Sequence, residues 1–405
     1  MKTIVMLSDG MADEPVFDFG GKTPLEYAST PTLDRLAKVS EIGMVRTIPE
    51  GMAPGSDVAN LSVIGYNPRL YYTGRSPLEA LSIGAEMDEN DVALRCNLVT
   101  VSEEDSLPYE ERRMVDHSAS EITTEEAEQL LSDLKSEFES DNCHFYTGTS
   151  YRHCIIWRGG EILPFTPPHD ILEQKIGRYL PENDLFLCML KRSYEILKNH
   201  PVNQKRRAAG LNPANSFWFW GAGTKPSLPS FWGRYHKKGV MISAVDLLKG
   251  IAVGIGLDNR NVEGATGGLN TNYEGKAQAA ADALLGENYD FAYIHLEAPD
   301  EMGHQGSAVK KAEAIHRMDT RILAPLLRQL DASGEEYRLL VLPDHPTPVG
   351  LRTHTANPVP YLLYDSTRHQ NHDWNYNEQE AVDSKNRVEH GWELMDYLFS
   401  DGSSL

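Results

Sequence analysis

Short apolar runs alternate with helix-like patterns in the first and last parts of the chain. Residues 3–7, 239–244, 290–296 and 338–343 are largely apolar or β-branched and end at polar residues, as buried parallel strands do. Between the last two runs, residues 308–330 repeat apolar positions three and four apart, which predicts one long amphipathic helix. This alternation predicts an α/β fold in which a central, mostly parallel sheet carries helices on both faces.

The pattern changes in the middle of the chain. A strand-like run at residues 92–101 begins a mixture of short strands and amphipathic helices, and a loop rich in glycine, proline and aromatic residues ends it at 210–229. A chain of 405 residues is too long for one ordinary core. We therefore predict a discontinuous core domain, residues 1–90 and 236–405, and a smaller inserted α+β domain, residues 91–235.

The amino-acid composition argues against several classes of partner and site. The chain has 38 Lys and Arg against 59 Asp and Glu, a formal charge of −21, and no basic tail, which argues against nucleic acid or a membrane surface as a partner. Its four cysteines show no CxxC spacing, so neither a disulfide framework nor a thiolate zinc site is indicated, and a reducing cytoplasm fits. The apolar start of the chain is too short for a secretory or membrane-spanning segment.

Acidic and imidazole side chains follow three of the predicted strands. In an open α/β sheet, ligands bind at the carboxyl ends of the strands, so these side chains should meet at one edge. A single aspartate there is more often a turn former or helix cap, and it is the joint occurrence on three strand ends that favours a metal centre. Carboxylates and imidazoles suit Mn²⁺, Zn²⁺, Mg²⁺ or Co²⁺, and their number suffices for two ions. The candidates are Asp9, Asp300, His304, Asp344, His345 and His354.

A serine stands in a turn of small residues between the first and second of these strand ends. Pro54 and Gly55 can shape a tight turn, and a helix beginning near Val58 would place Ser56 at a helix N-terminus. Backbone N–H groups there favour an anion such as a phosphoryl group. Such a turn is usually only a cap, but beside a metal centre Ser56 becomes the candidate nucleophile.

Nine motifs together resemble the archaeal-type cofactor-independent phosphoglycerate mutases of the alkaline phosphatase superfamily. The likeness runs over nearly the whole chain, is strong in the metal motifs and is looser in the predicted insertion. It implies an alkaline-phosphatase-like core. The motifs are Ser8-Asp-Gly-Met, Thr30-Pro-Thr-Leu-Asp34, Pro54-Gly-Ser-Asp-Val-Ala-Asn-Leu, Tyr72-Thr-Gly-Arg75, Arg95-Cys-Asn97, His295-Leu-Glu-Ala-Pro-Asp-Glu-Met-Gly-His304, Pro343-Asp-His345, Arg352-Thr-His-Thr and Pro358-Val-Pro360.

The resemblance implies a ligand set and a mechanism. One metal ion would be held by Asp9, Ser56, Asp344 and His345, and the other by Asp300, His304 and His354, with Mn²⁺ as the favoured ion. Ser56 would take the phosphoryl group from 3-phosphoglycerate and return it to the other oxygen as 2-phosphoglycerate, a step of glycolysis and gluconeogenesis. The inserted domain would bind substrate and act as a lid that keeps water from the phosphoserine.

Three further basic groups are candidates for substrate contact. His117 is similar to the family's histidine near the phosphate and would act in proton transfer or phosphate binding. Arg152 could grip the substrate carboxylate or phosphate, since a guanidinium binds either with two parallel hydrogen bonds. Lys276 resembles the lysine that the family places between its domains. Arg206 and Arg207 are instead expected to form a solvated surface patch.

Other functions share this metal–serine chemistry. The acceptor is chosen by the insertion, so a homoserine kinase-like phosphotransferase of threonine biosynthesis and a metal-dependent phosphatase or phosphodiesterase stay as alternatives. A metal-stabilised binding protein would require the serine or one metal set to be broken, and both are intact. A small phosphorylated acid is the expected substrate, and the sequence leaves the oligomeric state open.

Overall fold

The computed structural model describes residues 1–104 and 107–400, which divide into two compact units. The core unit consists of Met1–Tyr72 and the chain from Leu228 onward, and the insert unit is Thr73–Ser227. The first boundary therefore lies earlier than the predicted 90/91, and the second earlier than 235/236. The helix that follows Thr73 packs on strands of the insert unit, and Ser76 donates to the carbonyl of Gly221 there. The described residues contain no helix that is long and apolar enough to span a membrane.

The structure contains strands, α-helices and two π-helical turns. The strands are β1 (Lys2–Ser8), β2 (Glu41–Val45), β3 (Val92–Val101), β4 (Met114–Asp116), β5 (Cys143–Tyr146), β6 (Arg152–Trp157), β7 (Ser216–Thr224), β8 (Gly239–Ile242), β9 (Asp258–Asn259), β10 (Phe291–Leu296), β11 (Tyr337–Leu342), β12 (Val359–Asp365) and β13 (Arg387–Val388). The helices are α1 (Pro24–Tyr27), α2 (Pro31–Ala37), α3 (Ser56–Val63), α4 (Pro68–Tyr71), α5 (Arg75–Ser82), α6 (Thr124–Phe138), α7 (Asp184–Leu197), α8 (Pro201–Ala208), α9 (Phe231–Tyr235), α10 (Asp246–Ile255), α11 (Tyr273–Ala281), α12 (Ala298–His304), α13 (Ala308–Met318), α14 (Ala324–Ser333), α15 (Glu378–Asp383) and α16 (Leu394–Phe399). The π-helical turns are Asp282–Gly286 and Asp319–Leu323.

The core unit is built on an eight-stranded sheet with the order β13-β2-β12-β11-β1-β10-β8-β9. The strands β11, β1, β10, β8 and β9 are parallel to one another, whereas β12 runs antiparallel to both of its neighbours. Leu7 of β1 pairs with His295 on one side and with Leu342 on the other, so the three central strands end at the same level. The predicted α/β fold with a mostly parallel central sheet is confirmed.

The predicted helix over 308–330 forms, but a π-helical turn divides it into α13 and α14. Pro325 lies in the first turn of α14, where its ring nitrogen cannot donate to the carbonyl of Arg321. The wider turn at Asp319–Leu323 accommodates this lost hydrogen bond without ending the helix. The apolar stripe of the helix, including Ile315 and Met318, is fully buried in the main core of the unit.

The insert unit is built on a five-stranded antiparallel sheet. β3 is its central strand and pairs with β4, β6 and β7, while β5 extends the sheet beyond β6. The helix α6 begins with a capping box, in which Thr123 and Glu126 each satisfy a backbone N–H of the other. Its apolar face, together with α7, covers a separate aromatic-rich core. This arrangement matches the α+β pattern expected of the insertion.

A buried lysine joins two loops that follow strands of the core sheet. Nζ of Lys311, on α13, donates to the carbonyl of Ala12 at 3.2 Å and to that of Thr347 at 2.9 Å. It also pairs with Asp13 at 2.6 Å, and both side chains are at most 1% exposed. Burial lowers the pKa of Lys311, an effect that the Asp13 carboxylate opposes. One ion pair therefore fixes the loop after β1 against the loop after β11.

We expect Lys311→Met to lower the free energy of unfolding by about 3–5 kcal/mol, because it leaves the Asp13 carboxylate buried without its partner. Lys310→Met is the control, since that lysine is the exposed neighbour on the same helix. Urea unfolding of both variants measures the difference. Equal stability of the two variants would show that the buried ion pair contributes nothing to the fold.

Candidate active site

The structure brings the acidic and imidazole residues of the three strand ends together in the core unit. Asp9 follows β1, Asp300 lies in α12 directly after β10, and Asp344 follows β11. Two groups of side chains have ligand atoms within 4.8 Å of one another, as a metal ion would require. The first group consists of Asp300, His304 and His354, and the second of Asp9, Asp300 and His345. The grouping differs from the expected one in that Asp300 takes part in both groups and Asp344 in neither.

The first group presents two imidazole nitrogens toward one carboxylate. Nε2 of His304 lies 3.2 Å from Asp300 Oδ2, Nε2 of His354 lies 3.4 Å from Asp300 Oδ1, and the two nitrogens are 3.0 Å apart. Nδ1 of His304 lies 3.0 Å from the carbonyl of Arg352, to which it can donate, leaving Nε2 with its lone pair. The hydrogen bond to Asp300 raises the pKa of His304 to about 9. This nitrogen therefore attracts a positive charge, whether a proton or a metal ion.

The two carboxylates of the second group lie close to a third buried carboxylate, that of Asp344. Asp9, Asp300 and Asp344 are each at most 6% exposed. Burial and the neighbouring carboxylates of Asp344 and Asp300 raise the pKa of Asp9 well above its usual range. Oδ1 of Asp9 has no hydrogen-bond partner among the described residues, although it is fully buried. An unpaired buried carboxylate oxygen among like charges fits a site for a cation.

Asp344 differs from Asp9 because the backbone satisfies it. Its Oδ1 accepts from the N–H of Gly10 at 3.1 Å and from its neighbour His345 at 2.9 Å, and its Oδ2 accepts from Asn60 Nδ2 at 3.0 Å. Asn60 is itself held by the hydroxyl of Tyr293 at 2.8 Å. The carboxylate is thus fixed, with Oδ2 3.4 Å from Nε2 of His345.

Ser56 stands at the edge of this cluster. It begins α3, two residues before the expected start at Val58, and it is only half-buried, so its hydroxyl is accessible. Its Oγ lies 3.1 Å from Nε2 of His345, which is also 3.7 Å from Oδ1 of Asp9. The next residue, Asp57, accepts from the N–H of Val58 and from the hydroxyl of Tyr72. The serine therefore combines a helix N-terminus with a neighbouring ligand cluster.

The insert unit brings two further candidates together around Tyr151. The ring of His117 packs edge-on against Tyr151 at 5.9 Å and lies 6.1 Å from the ring of His169. Arg152 is exposed, donates to the Tyr151 hydroxyl at 3.2 Å and places its guanidinium 4.8 Å from the same ring. A histidine and a cation thus share one aromatic neighbour.

A left-handed turn follows His117. Ala119, Ser120 and Glu121 have φ values of 47°, 54° and 51°, which cost non-glycine residues about 1–2 kcal/mol each. The carboxylate of Asp116 accepts from the N–H groups of Ser118 and Ser120 at 2.9 and 2.6 Å and so holds the turn from inside. Backbone strain of this kind persists only where the surroundings impose it.

Arg206 holds the same turn from the other side, so the expectation that it forms part of a solvated patch is wrong. It is 2% exposed, pairs with Glu126, and donates to the carbonyls of Ala119 and Asn212. A buried guanidinium can satisfy several carbonyls that a strained turn leaves unpaired. Arg207 does lie near the surface, where it pairs with Glu103.

Comparisons with known proteins identify the family. A family model described as 2,3-bisphosphoglycerate-independent phosphoglycerate mutase matches residues 37–203. A protein of that name from Methanosarcina barkeri is 48% identical over 369 residues, 90% of each chain. The chain belongs to this mutase family. A solved structure from Pyrococcus horikoshii is 30% identical, covers 100% of this chain and 99% of its own, and superposes with a TM-score of 0.81. A cofactor-independent phosphoglycerate mutase from Thermoplasma acidophilum, 24% identical, covering 98% of this chain and 99% of its own, has the same fold with a TM-score of 0.65.

The predicted family and enzyme class are therefore confirmed, whereas the roles of single residues stay predictions. Lys276 is the candidate for which the geometry offers no support. It is 1% exposed in the core unit, its Nζ donates to the carbonyl of His295 at 2.6 Å, and burial lowers its pKa to about 8. Because its ammonium is enclosed and already hydrogen-bonded to a strand, Lys276 stabilises β10 in this structure and is not open to a substrate.

Sequence reasoning missed a set of arginines that this mutase family member carries in the insert unit. Arg75 and Arg95 each place Nε 2.8 Å from a different oxygen of Glu79. The guanidinium of Arg95 lies 4.3 Å from the ring of Trp220, which donates to Asn97. Burial alone would raise the pKa of Glu79, but Arg95 and Arg75 hold it below its usual range. Arg75 and Arg95 belong to two of the family motifs. The motifs indicated that these positions matter to the family but did not predict what the arginines do.

The carboxylate of Asp116 holds the left-handed turn at residues 119–121, and it makes the stability of that turn depend on pH. Burial alone would raise its pKa, but hydrogen bonds from Asn212, Ser118 and Ser120 lower it to about 2, against 3.8 in the unfolded chain. Its contribution to stability is present above pH 3.8 and is lost as the pH falls through 2.

We expect Asp116→Asn to lower the free energy of unfolding at neutral pH, and we expect this difference from the wild type to shrink as the pH falls from about 4 toward 2. Urea unfolding between pH 7 and pH 2 measures it. Asp141→Asn, at an exposed position of the same unit, is the control. A difference that stays constant with pH would mean that the charge of Asp116 does not hold the turn.

Proposed function

We propose that this chain interconverts 3-phosphoglycerate and 2-phosphoglycerate by passing the phosphoryl group through Ser56. Membership of the mutase family, at 48% identity over 90% of the chain, supports the reaction and the substrate. One observation carries the route: an accessible Ser56 hydroxyl at the start of α3, 3.1 Å from His345 and beside the carboxylate cluster. No other described serine combines these features with the two groups of candidate ligands.

The residues of the core unit fit two divalent metal ions. Asp9, Ser56, Asp344 and His345 would hold one, and Asp300, His304 and His354 the other. The unpartnered Oδ1 of Asp9 supports the first assignment, and the convergence of His304 and His354 supports the second. Oxygen and imidazole ligands without thiolates suit Mn²⁺, Zn²⁺, Mg²⁺ or Co²⁺, and the resemblance to the family favours Mn²⁺ among them. When bound, such ions lower the pKa of a serine hydroxyl and offset charge on the phosphoryl oxygens.

The chain's own groups account for the transfer. Ser56 would enter the transfer as the alkoxide, its hydroxyl proton having been released to solvent, and would regain that form at the end. Its oxygen forms a bond to phosphorus as the bond from phosphorus to O3 of the glycerate breaks, and the N–H groups at the start of α3 stabilise the phosphoryl oxygens. O3 takes up a proton, and we propose that His117 delivers it. The phosphoryl group then leaves Ser56 for O2 of the same glycerate, whose proton returns to His117.

The insert unit supplies the cations for an anionic substrate in a protein of net charge −21. Arg152 is exposed and can bind the carboxylate or phosphate directly, whereas Arg75 and Arg95 are oriented by Glu79. Aromatic rings behind Arg95 and Arg152 restrict both side chains, which reduces the entropy that they lose on binding a ligand.

Phosphorus NMR of the Mn²⁺-loaded protein tests the reaction. With 3-phosphoglycerate, we expect the wild type and Ser62→Ala to form 2-phosphoglycerate and Ser56→Ala to form none. Ser62 is the matched control because it lies on the same helix and its hydroxyl has no hydrogen-bond partner among the described residues. A second tube with homoserine and ATP, and a third with a generic phosphate ester, examine the alternatives. O-phosphohomoserine alone, or hydrolysis of the ester alone, would contradict the proposed substrate.

Arg152→Met should lower kcat/KM for 3-phosphoglycerate by about 10–100-fold, the effect of losing one or two hydrogen bonds to a charged group. Arg178→Met is the matched control, because Arg178 lies in the same unit and stacks on Tyr179 at 4.6 Å as Arg152 stacks on Tyr151. Steady-state kinetics with saturating Mn²⁺ provide the measurement. If both variants lose activity equally, Arg152 has no special role in substrate binding.

A further inference from the structure

His295 touches a candidate metal ligand without belonging to either ligand group. It is fully buried on β10, with Nε2 3.0 Å from Oδ2 of Asp9 and Nδ1 3.2 Å from Oγ of Ser243. Ser243 directly follows β8, and Asp9 directly follows β1. The three side chains therefore form a row across three adjacent parallel strands, because β10 lies between β1 and β8 in the sheet.

The hydrogen bonds of this row can run in only one direction once Asp9 is ionised as a ligand. A carboxylate only accepts, so Nε2 of His295 carries the hydrogen and donates to Oδ2 of Asp9. A neutral imidazole then has a lone pair at Nδ1, which accepts from the Ser243 hydroxyl. Oγ of Ser243 in turn accepts from the N–H of Val245 at 3.0 Å. Every donor in the row thus meets an acceptor.

The row leaves one oxygen of Asp9 without a partner. Oδ2 is occupied by His295, whereas Oδ1 has no hydrogen-bond partner among the described residues and lies on the side of His345. His295 itself cannot shift easily, because its carbonyl accepts from the buried Lys276 and its strand pairs with β1 on one side and β8 on the other. The imidazole therefore determines which carboxylate oxygen faces the ligand cluster.

We propose that His295 and Ser243 are positioning residues that orient the Asp9 carboxylate and thereby set the affinity of the metal site that contains Asp9. Neither residue contacts the ion or the substrate. A histidine that hydrogen-bonds a ligating carboxylate fixes the orientation of that ligand, and removing such a partner typically weakens metal binding 10–100-fold. The inference rests on the metal-binding part of the proposed function and is independent of the substrate.

Titration of the full-length, metal-free protein with Mn²⁺, with free Mn²⁺ measured by its electron paramagnetic resonance, tests the proposal. We expect His295→Phe to weaken one of two binding events by about 10–100-fold and to leave the other unchanged. His295→Gln should weaken it less, because the glutamine amide can still donate to Asp9. Ser243→Ala should weaken Mn²⁺ binding in the same event by a smaller factor. This variant also tests the proposal if His295→Phe does not fold. Ile294→Val, on the same strand, should leave both events unchanged.

Kinetics give a second signature. The Mn²⁺ concentration for half-maximal activity should rise in His295→Phe and Ser243→Ala, and excess Mn²⁺ should restore kcat. Unchanged Mn²⁺ affinities in both variants would overturn the positioning role and leave the mutase proposal intact. Equal weakening of both binding events, matched by Ile294→Val, would show that His295 only fills the core. A wild-type protein that binds no Mn²⁺ would overturn this inference together with the metal part of the proposed function.

Discussion

Three buried carboxylates at one edge of a sheet are the constraint on which the core unit depends. Burial and the neighbouring carboxylates of Asp344 and Asp300 raise the pKa of Asp9 well above its usual range, so positive charge beside these groups would stabilise them. The fold meets part of this demand with the N–H groups of Gly10 and His345. Cations would meet the remainder, which supports the proposal that this edge of the sheet holds metal ions.

Each of the three carboxylates is held in place by hydrogen bonds from its own neighbouring side chains. Tyr293 and Asn60 hold Asp344, His295 holds Asp9, and Thr347 donates to Asp300. In the insert unit, the guanidinium groups of Arg95 and Arg152 lie against aromatic rings. In the proposed function, the carboxylates of the core unit would bind cations and arginines of the insert unit would bind the anionic substrate.

Sequence alone predicts most of the core unit, because buried parallel strands are short, apolar and followed directly by polar side chains. Asp9, Asp300 and Asp344 could be found in this way, as could Ser56 from its turn. Other features depend on contacts between distant residues that no local pattern encodes. Lys276 can be buried because its ammonium donates to the carbonyl of His295 on β10. Arg206 can be buried because its guanidinium donates to the carbonyl of Ala119, in the strained turn of a distant segment. The first domain boundary was missed because α5 packs on β3 and β7, which its own sequence does not show.

The sheet topology also has a consequence for how the chain folds as it is synthesised. β1 precedes the insert unit along the chain, yet it lies between β10 and β11, which are made only after the whole insert unit. Until then its apolar side chains, Ile4 to Leu7, have no neighbouring strand on either side. The insert unit has its own core and is complete before either partner of β1 exists. We therefore expect the early strand to be the segment most in need of protection by chaperones, while the middle of the chain folds first.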